Sequence, residues 1–183
     1  FTVLLVRFNL FLRKSNLVPD SKARFDPTKQ LTRGDLRASK HVYLVAVRWT
    51  KTLQYKQKVL LLPLLRHRHK EICTHEWIQR MLARVPGRPV DPLFSLRAGR
   101  GNIPLTSGVL LHKLRGWLRR LGLKDKDFSL HSLRRGGATH AFRCKVPPLL
   151  IKLMGDWISD SYLRYIDLSM RDRLRAVARF SRR

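Results

Sequence analysis

The stretch HSLRRGG at 131–137, followed downstream by Tyr165, decides how the rest of the chain is interpreted. His131 and Arg134 are three residues apart at the predicted start of a helix, so their side chains share one face. An imidazole and a guanidinium at a helix N-terminus suit a phosphate, because the unpaired backbone N–H groups there also attract negative charge. The two glycines that follow have no side chains and therefore let a neighbouring backbone pack close to this helix.

The charge of the chain points to a polyanionic partner. Its 183 residues include 39 Lys and Arg against 12 Asp and Glu, which gives a formal net charge of +27. Counterion release from phosphates favours many spread-out cations, so nucleic acid is the expected partner. The apolar segment 1–12 is too short for a membrane span and is interrupted by Arg7, so no membrane association is expected.

The two cysteines, Cys73 and Cys144, are too few for a disulfide scaffold and predict reduced thiols in an intracellular protein. Neither has a second Cys or a paired His at zinc-binding spacing, so no metal site is expected. His75 and His112 fall on predicted helices and are expected at the surface or at its boundary with the core.

Local sequence signals predict one α+β domain that is mainly helical and contains a small antiparallel sheet. Alternating β-branched and aromatic residues predict strands at 41–49 and 59–62, joined by a hairpin, and an extended piece at 93–96. Capping residues, prolines and glycines predict the helices: 1–12, 75–84 with Thr74 as its cap, one capped by Thr106 or Ser107 that runs to 121, one that begins at Ser129 or His131 and runs to 143, 147–154, 159–167 and 171–180.

A tyrosine downstream of clustered cations fits one type of chemistry. The phenol is a weak nucleophile at neutral pH, with a pKa of about 10. Adjacent cations stabilise its phenolate and also the charge that develops on a phosphate under attack. The product is a covalent phosphotyrosine, which needs no cofactor. Tyr162 lies three residues before Tyr165 and is the competing candidate for this role.

The blocks LRKSNLVP at 12–19 and LRRGGAT at 133–139, with the run 131–166, resemble the catalytic domain of the tyrosine recombinases, or phage-integrase family. The amino-acid sequences of these blocks are similar to those of eukaryotic Crypton-type or retroelement-type members. The resemblance implies that residues 1–183 form a catalytic domain, a fragment lacking the helical core-binding domain that usually precedes it. It also implies binding of double-stranded DNA, site-specific recombination or integration by strand cleavage and rejoining, a homotetramer on DNA, and nuclear localisation.

The resemblance assigns roles to individual residues. Arg13 and Arg134 grip the non-bridging phosphate oxygens. Lys51, on the hairpin, protonates the departing 5′ hydroxyl, with Lys56 and Lys58 as rival candidates. The remaining roles are proton transfer by His131 and nucleophilic attack by Tyr165, which forms a 3′-phosphotyrosyl link.

The chain departs from the family pattern at two places. The family usually has His or Trp nine residues before the nucleophile, where Asp156 stands here; Trp157 follows it and is assigned that role with a one-residue shift. A negative charge at this position opposes phosphate binding. The acidic residue that often follows the first arginine is also absent, and Ser15 and Asn16 occupy that region.

Three functions remain open from the sequence. The first is a DNA-cleaving and rejoining enzyme of tyrosine-recombinase type. The second is a catalytically inactive, domesticated basic DNA-binding protein, which Asp156 favours. The third is a generic RNA-binding or ribosome-associated protein, which explains the charge but leaves the ordered set from Arg13 to Tyr165 as coincidence.

Overall fold

The structure is a computed structural model that describes residues 1–50, 59–99, 101–165, 170, 173–174 and 177–178, with only the backbone of residue 165. Its α-helices are α1 (Thr2–Leu10), α2 (Lys14–Leu17), α3 (Thr74–Arg84), α4 (Ser107–Arg120), α5 (Leu130–Arg143) and α6 (Pro148–Met154). Its strands are β1 (Leu36–Ala38), β2 (Val42–Val47), β3 (Leu60–Leu65), β4 (Ser95–Ala98) and β5 (Gly101–Pro104). Short 3₁₀ helices cover Lys22–Arg24, Arg33–Asp35, Asp125–Asp127 and Asp160–Tyr165.

The strands form two small antiparallel sheets, so the predicted α+β class is confirmed. In the larger sheet β1 pairs with β2 and β2 with β3, and Val45 lies opposite Leu62. Alternate side chains of β2 are buried, as expected for a strand with one face on the core. The sequence predicts that the second strand ends at Leu62, but β3 continues through Pro63. A proline is tolerated there because β3 pairs on one side only within the described residues.

Helix α1 lies at the centre of the core, and α5 packs against it. Val6 and Leu10 are fully buried. A Cβ on Gly137 would overlap the carbonyl oxygen of Phe8, so the two backbones approach more closely than any larger residue allows. The predicted purpose of this glycine is therefore confirmed. The predicted helix starts after Ser129, before Pro148 and after Thr106 are also confirmed.

Three local predictions were wrong. Thr74 is the first residue of α3 rather than its cap, and Cys73 takes the cap position without a side-chain hydrogen bond. His75 is fully buried rather than at the surface or its boundary with the core, because α3 packs on the sheet and the imidazole lies 4.7 Å from the Tyr43 ring. The third concerns the segment 31–36, for which the sequence predicts a short connector, whereas its last residue, Leu36, begins strand β1.

Two predicted elements lie outside the described residues. They are the hairpin tip at 51–58 and most of the terminal helix at 171–180. Within the described ranges, no helix combines the length and the apolar character needed to cross a lipid bilayer.

Candidate active site

Arg134 lies at the centre of the site and is held by the ends of two helices. Its guanidinium is 2% exposed and donates to the carbonyl of Phe11 and, at 2.8 Å, to that of Gly155. These two residues are the C-caps of α1 and α6. Carbonyls at helix C-termini carry partial negative charge, so they both orient and stabilise the buried cation.

Arg13 reaches the same turn from the other side. It follows α1 directly and is the N-cap of α2, with its side chain 29% exposed. Its Nη1 lies 3.4 Å from Asp156 Oδ2, and its Nη2 lies 3.4 Å from the Asp156 carbonyl oxygen. The two predicted arginines, distant in sequence, therefore contact consecutive residues of one turn.

Asp156 links three segments of the chain. It has a left-handed backbone (φ 52°), a conformation that Asp and Asn tolerate better than most residues. Its Oδ2 pairs with Arg13 and also accepts a hydrogen bond from the hydroxyl of Thr50, which is fully buried. Thr50 immediately precedes Lys51, which itself lies outside the described residues. The carboxylate thus faces the predicted site.

Trp157 packs against Arg134. The centroid of its ring lies 4.0 Å from Cζ of the guanidinium, a cation–π geometry, and the side chain is 8% exposed. A Cβ on Gly155 would overlap this ring, so only glycine fits there. Asp156 and Trp157 therefore both belong to the site: Asp156 contacts Arg13 and Trp157 covers Arg134.

His131 lies in the first turn of α5, which Ser129 caps through its side chain. The residue as a whole is exposed, but partial burial of its imidazole lowers the pKa of His131 below its usual 6.5, and the positive charges of Arg7, Arg134 and Arg135 lower it further. The imidazole is therefore kept neutral at neutral pH and is suited to accept a proton.

The two candidate tyrosines differ in their surroundings. Tyr162 is 6% exposed and packs on the Trp157 ring with 6.1 Å between the ring centroids, which is the environment of a core aromatic. Tyr165 is the last residue of the 3₁₀ helix Asp160–Tyr165, and its side chain lies outside the described part of the structure.

Two neighbours of the site were missed by the sequence analysis. Arg7 is buried in α1 and donates from Nε to the Leu130 carbonyl at 2.6 Å, next to His131. The available signal was an arginine within an otherwise apolar helix. No sequence pattern pointed to Thr50, because its hydrogen bond to Asp156 depends on a turn that lies far away in the sequence. Among the described residues, no cluster of three His, Cys, Asp or Glu side chains is arranged for a metal ion.

No family profile matches the sequence, and no curated protein matches it significantly. Solved structures do match, and the likeness is one of fold: the chain folds like the catalytic domain of tyrosine recombinases.

Two of these structures are recombinases of the Xer type. XerH site-specific recombinase, in a post-cleavage complex with its difH substrate, matches 98% of this chain with a TM-score of 0.66 and 16% identity. XerA recombinase matches 100% of it with a TM-score of 0.62 and 15% identity. A third is the Tn1549 transposon integrase in complex with circular intermediate DNA, which matches 97% with a TM-score of 0.60 and 16% identity. The chain spans about half the length of these proteins, from 45% to 56%.

Proposed function

We propose that this chain binds double-stranded DNA and cleaves and rejoins strands through a 3′-phosphotyrosine, as a site-specific recombinase or integrase. The observation that carries the proposal is the meeting of Arg13 and Arg134 at the turn formed by Gly155 and Asp156. Two cations fixed in this way suit a phosphodiester, since guanidinium groups match phosphate oxygens in geometry and charge. The solved structures with this fold include complexes of recombinases with their DNA substrates.

In the proposed reaction, the Tyr165 hydroxyl oxygen attacks the scissile phosphorus. A bond forms between that oxygen and phosphorus, and the bond from phosphorus to the 5′ oxygen breaks. Neutral His131 accepts the phenol proton, and Lys51 donates a proton to the departing 5′ oxygen. Arg13 and Arg134 stabilise the negative charge that develops on the non-bridging oxygens. Rejoining reverses these steps and releases the tyrosine.

A nicked suicide substrate tests this proposal, because loss of a short 5′ fragment traps the covalent intermediate. We expect a denaturant-resistant protein–DNA adduct that is abolished in Tyr165→Phe. Tyr162→Phe is the matched control: it keeps the buried ring against Trp157 and should retain the adduct. An adduct that survives Tyr165→Phe would contradict the assignment.

The second candidate is a catalytically inactive DNA-binding protein. The observation that favours it is the Asp156 carboxylate against Arg13, because a negative charge there competes with a phosphate. Duplex binding with no adduct in the same assay supports this candidate. Preference for structured RNA with no adduct supports an RNA-binding role instead.

We further propose that the chain assembles into a homo-oligomer on DNA. Several large apolar side chains of α6 and the segment after it are exposed to solvent, between 49% and 79%: Leu149, Leu150, Leu153, Ile158 and Leu163. Large exposed apolar side chains concentrated in one stretch of the chain are consistent with a protein interface. Its position beside the site supports contact between neighbouring protomers on one DNA.

A further inference from the structure

Arg7 is a buried cation in the middle of an apolar helix. It shares a face of α1 with Val3 and is only 2% exposed. Its Nε donates 2.6 Å to the Leu130 carbonyl, whereas its Nη1 is buried and has no hydrogen-bond partner in the described part of the chain. Burial lowers the pKa of Arg7 to about 10, so the side chain still carries its charge at neutral pH.

Packing alone does not explain an arginine at this position. A buried charge is costly unless a carboxylate compensates it, and none of the described acidic residues pairs with Arg7. The positive end of the α5 dipole lies next to it, which makes a cation less favourable still. A leucine or methionine would fill the same volume without these costs, so the charge itself is expected to have a use.

The group that experiences this charge is His131. It directly follows Leu130, whose carbonyl Arg7 holds. Among the described residues, the charged groups that act on the imidazole are Arg7 from α1 and Arg134 and Arg135 from α5, and all of them are positive. His131 and Arg135 are both exposed, whereas Arg7 is buried, and of the three cations Arg7 lowers the pKa of His131 the most.

We propose that Arg7 is a positioning residue that acts through His131, by holding the first turn of α5 and keeping the imidazole neutral before strand cleavage. The inference rests on the proposed function, in which neutral His131 accepts the proton of the nucleophile. Arg7 itself touches neither the phosphate nor the tyrosine in this scheme. Its effect is on the pH range in which the proton acceptor is available.

The test is a histidine NMR titration of the whole chain, with the His131 resonance assigned through His131→Gln. We expect the pKa of His131 to rise in Arg7→Met, which removes the charge. It should also rise in Arg7→Gln, which removes the charge but retains a donor for the Leu130 carbonyl. Arg7→Lys keeps the charge and should leave the pKa near its wild-type value. Arg135→Gln is the exposed control and should shift the pKa less than either neutral variant.

The same variants are then compared in the adduct assay across pH. The acidic limb of the pH profile of the cleavage rate should move to higher pH in Arg7→Met and Arg7→Gln. In Arg7→Lys it should lie at the wild-type pH. A folded neutral variant with an unchanged His131 pKa would overturn the inference, as would an equal shift in Arg135→Gln. If no adduct forms at any pH while the NMR shift is present, the proposed reaction fails but the link between Arg7 and His131 stands.

Discussion

At the scale of single residues, the proposed function requires a phosphate to approach Arg13 past the Asp156 carboxylate. Its Oδ2 lies 3.4 Å from the guanidinium, so an incoming phosphate must share or displace this contact. We expect Asp156→Asn to bind duplex DNA more tightly by about 1 kcal/mol, or about fivefold, because one opposing charge is removed from a partly buried position. Asn also tolerates the left-handed backbone, so the turn should persist. Fluorescence anisotropy with a labelled duplex measures the change.

The control for this substitution is Asp160→Asn. Asp160 pairs with Lys152 at 2.7 Å and is well exposed, so its removal changes the net charge equally but away from Arg13. It should alter DNA affinity less than Asp156→Asn. Weaker binding by Asp156→Asn would mean that the carboxylate is required to hold Arg13 in place.

His131 makes the stability of the fold depend on pH. The unfolded chain, with an ordinary histidine pKa near 6.5, binds a proton before the folded chain does, because the folded pKa is lowered. The free energy of unfolding should therefore fall as the pH drops below about 6.5, until the folded imidazole also protonates. The difference between wild type and His131→Gln in urea unfolding from pH 8 to pH 5 isolates this contribution. Parallel curves for the two proteins would contradict it.

The residues of the site differ in how far sequence could find them. Arg13 and Arg134 could be singled out because they lie in sequence blocks that resemble a known family, and in the structure they contact consecutive residues of one turn. Arg7 and Thr50 were not, since their roles depend on which carbonyl or carboxylate the fold brings beside them. The catalytic roles of all the predicted site residues remain predictions: Arg13, Lys51, His131, Arg134, Trp157 and Tyr165.

At the scale of elements, the crossing of α1 and α5 depends on one glycine. A Cβ at Gly137 would overlap the Phe8 backbone, which cannot move aside as a flexible side chain can. Gly137→Ala should therefore cost about 1–3 kcal/mol or more and lower the melting temperature by roughly 2–4 °C for each kcal/mol. Because Arg134 is on the same helix, cleavage should also decline.

Gly136→Ala is the matched control for this prediction. The nearest atom to its added Cβ is a ring carbon of Phe8 at 3.6 Å, an ordinary contact. Alanine is favoured over glycine in a helix by up to about 1 kcal/mol, so this variant should be as stable as wild type or more so. Differential scanning calorimetry of both variants checks the pair, and equal melting temperatures would refute the close-approach argument.

The elements with strong local signals were predictable from sequence. Ser129 and Thr106 as caps, and Pro148 in a first turn, each mark a helix start by a local mechanism. Strand β1 was missed because three residues contain too little alternation to reveal a pairing that β2 provides. The burial of His75 likewise depends on a sheet formed by distant residues, and no local pattern signals it.

At the scale of the whole molecule, charge and apolar surface suggest different partners. A net charge of +27 favours a polyanionic partner such as nucleic acid and predicts binding that weakens steeply with salt. Charge alone cannot distinguish DNA from RNA or from any other polyanion. In the proposed function, Arg13 and Arg134 at one turn add a site for a single phosphate, which scattered surface lysines and arginines do not provide.

The exposed leucines of α6 predict that assembly on DNA depends on this surface. Leu153 is 57% exposed in α6, so Leu153→Glu should leave the fold intact while adding a charge that opposes burial against a second copy. We expect sedimentation velocity to show higher-order complexes on DNA for wild type and single protomers per site for the variant. Val90→Glu makes the same charge change at a 64% exposed position outside these elements and should assemble normally. Leu153 has no assigned catalytic role, so adduct formation on a single site should persist in both variants. Loss of the adduct with Leu153→Glu would show that one protomer needs its neighbour to cleave DNA.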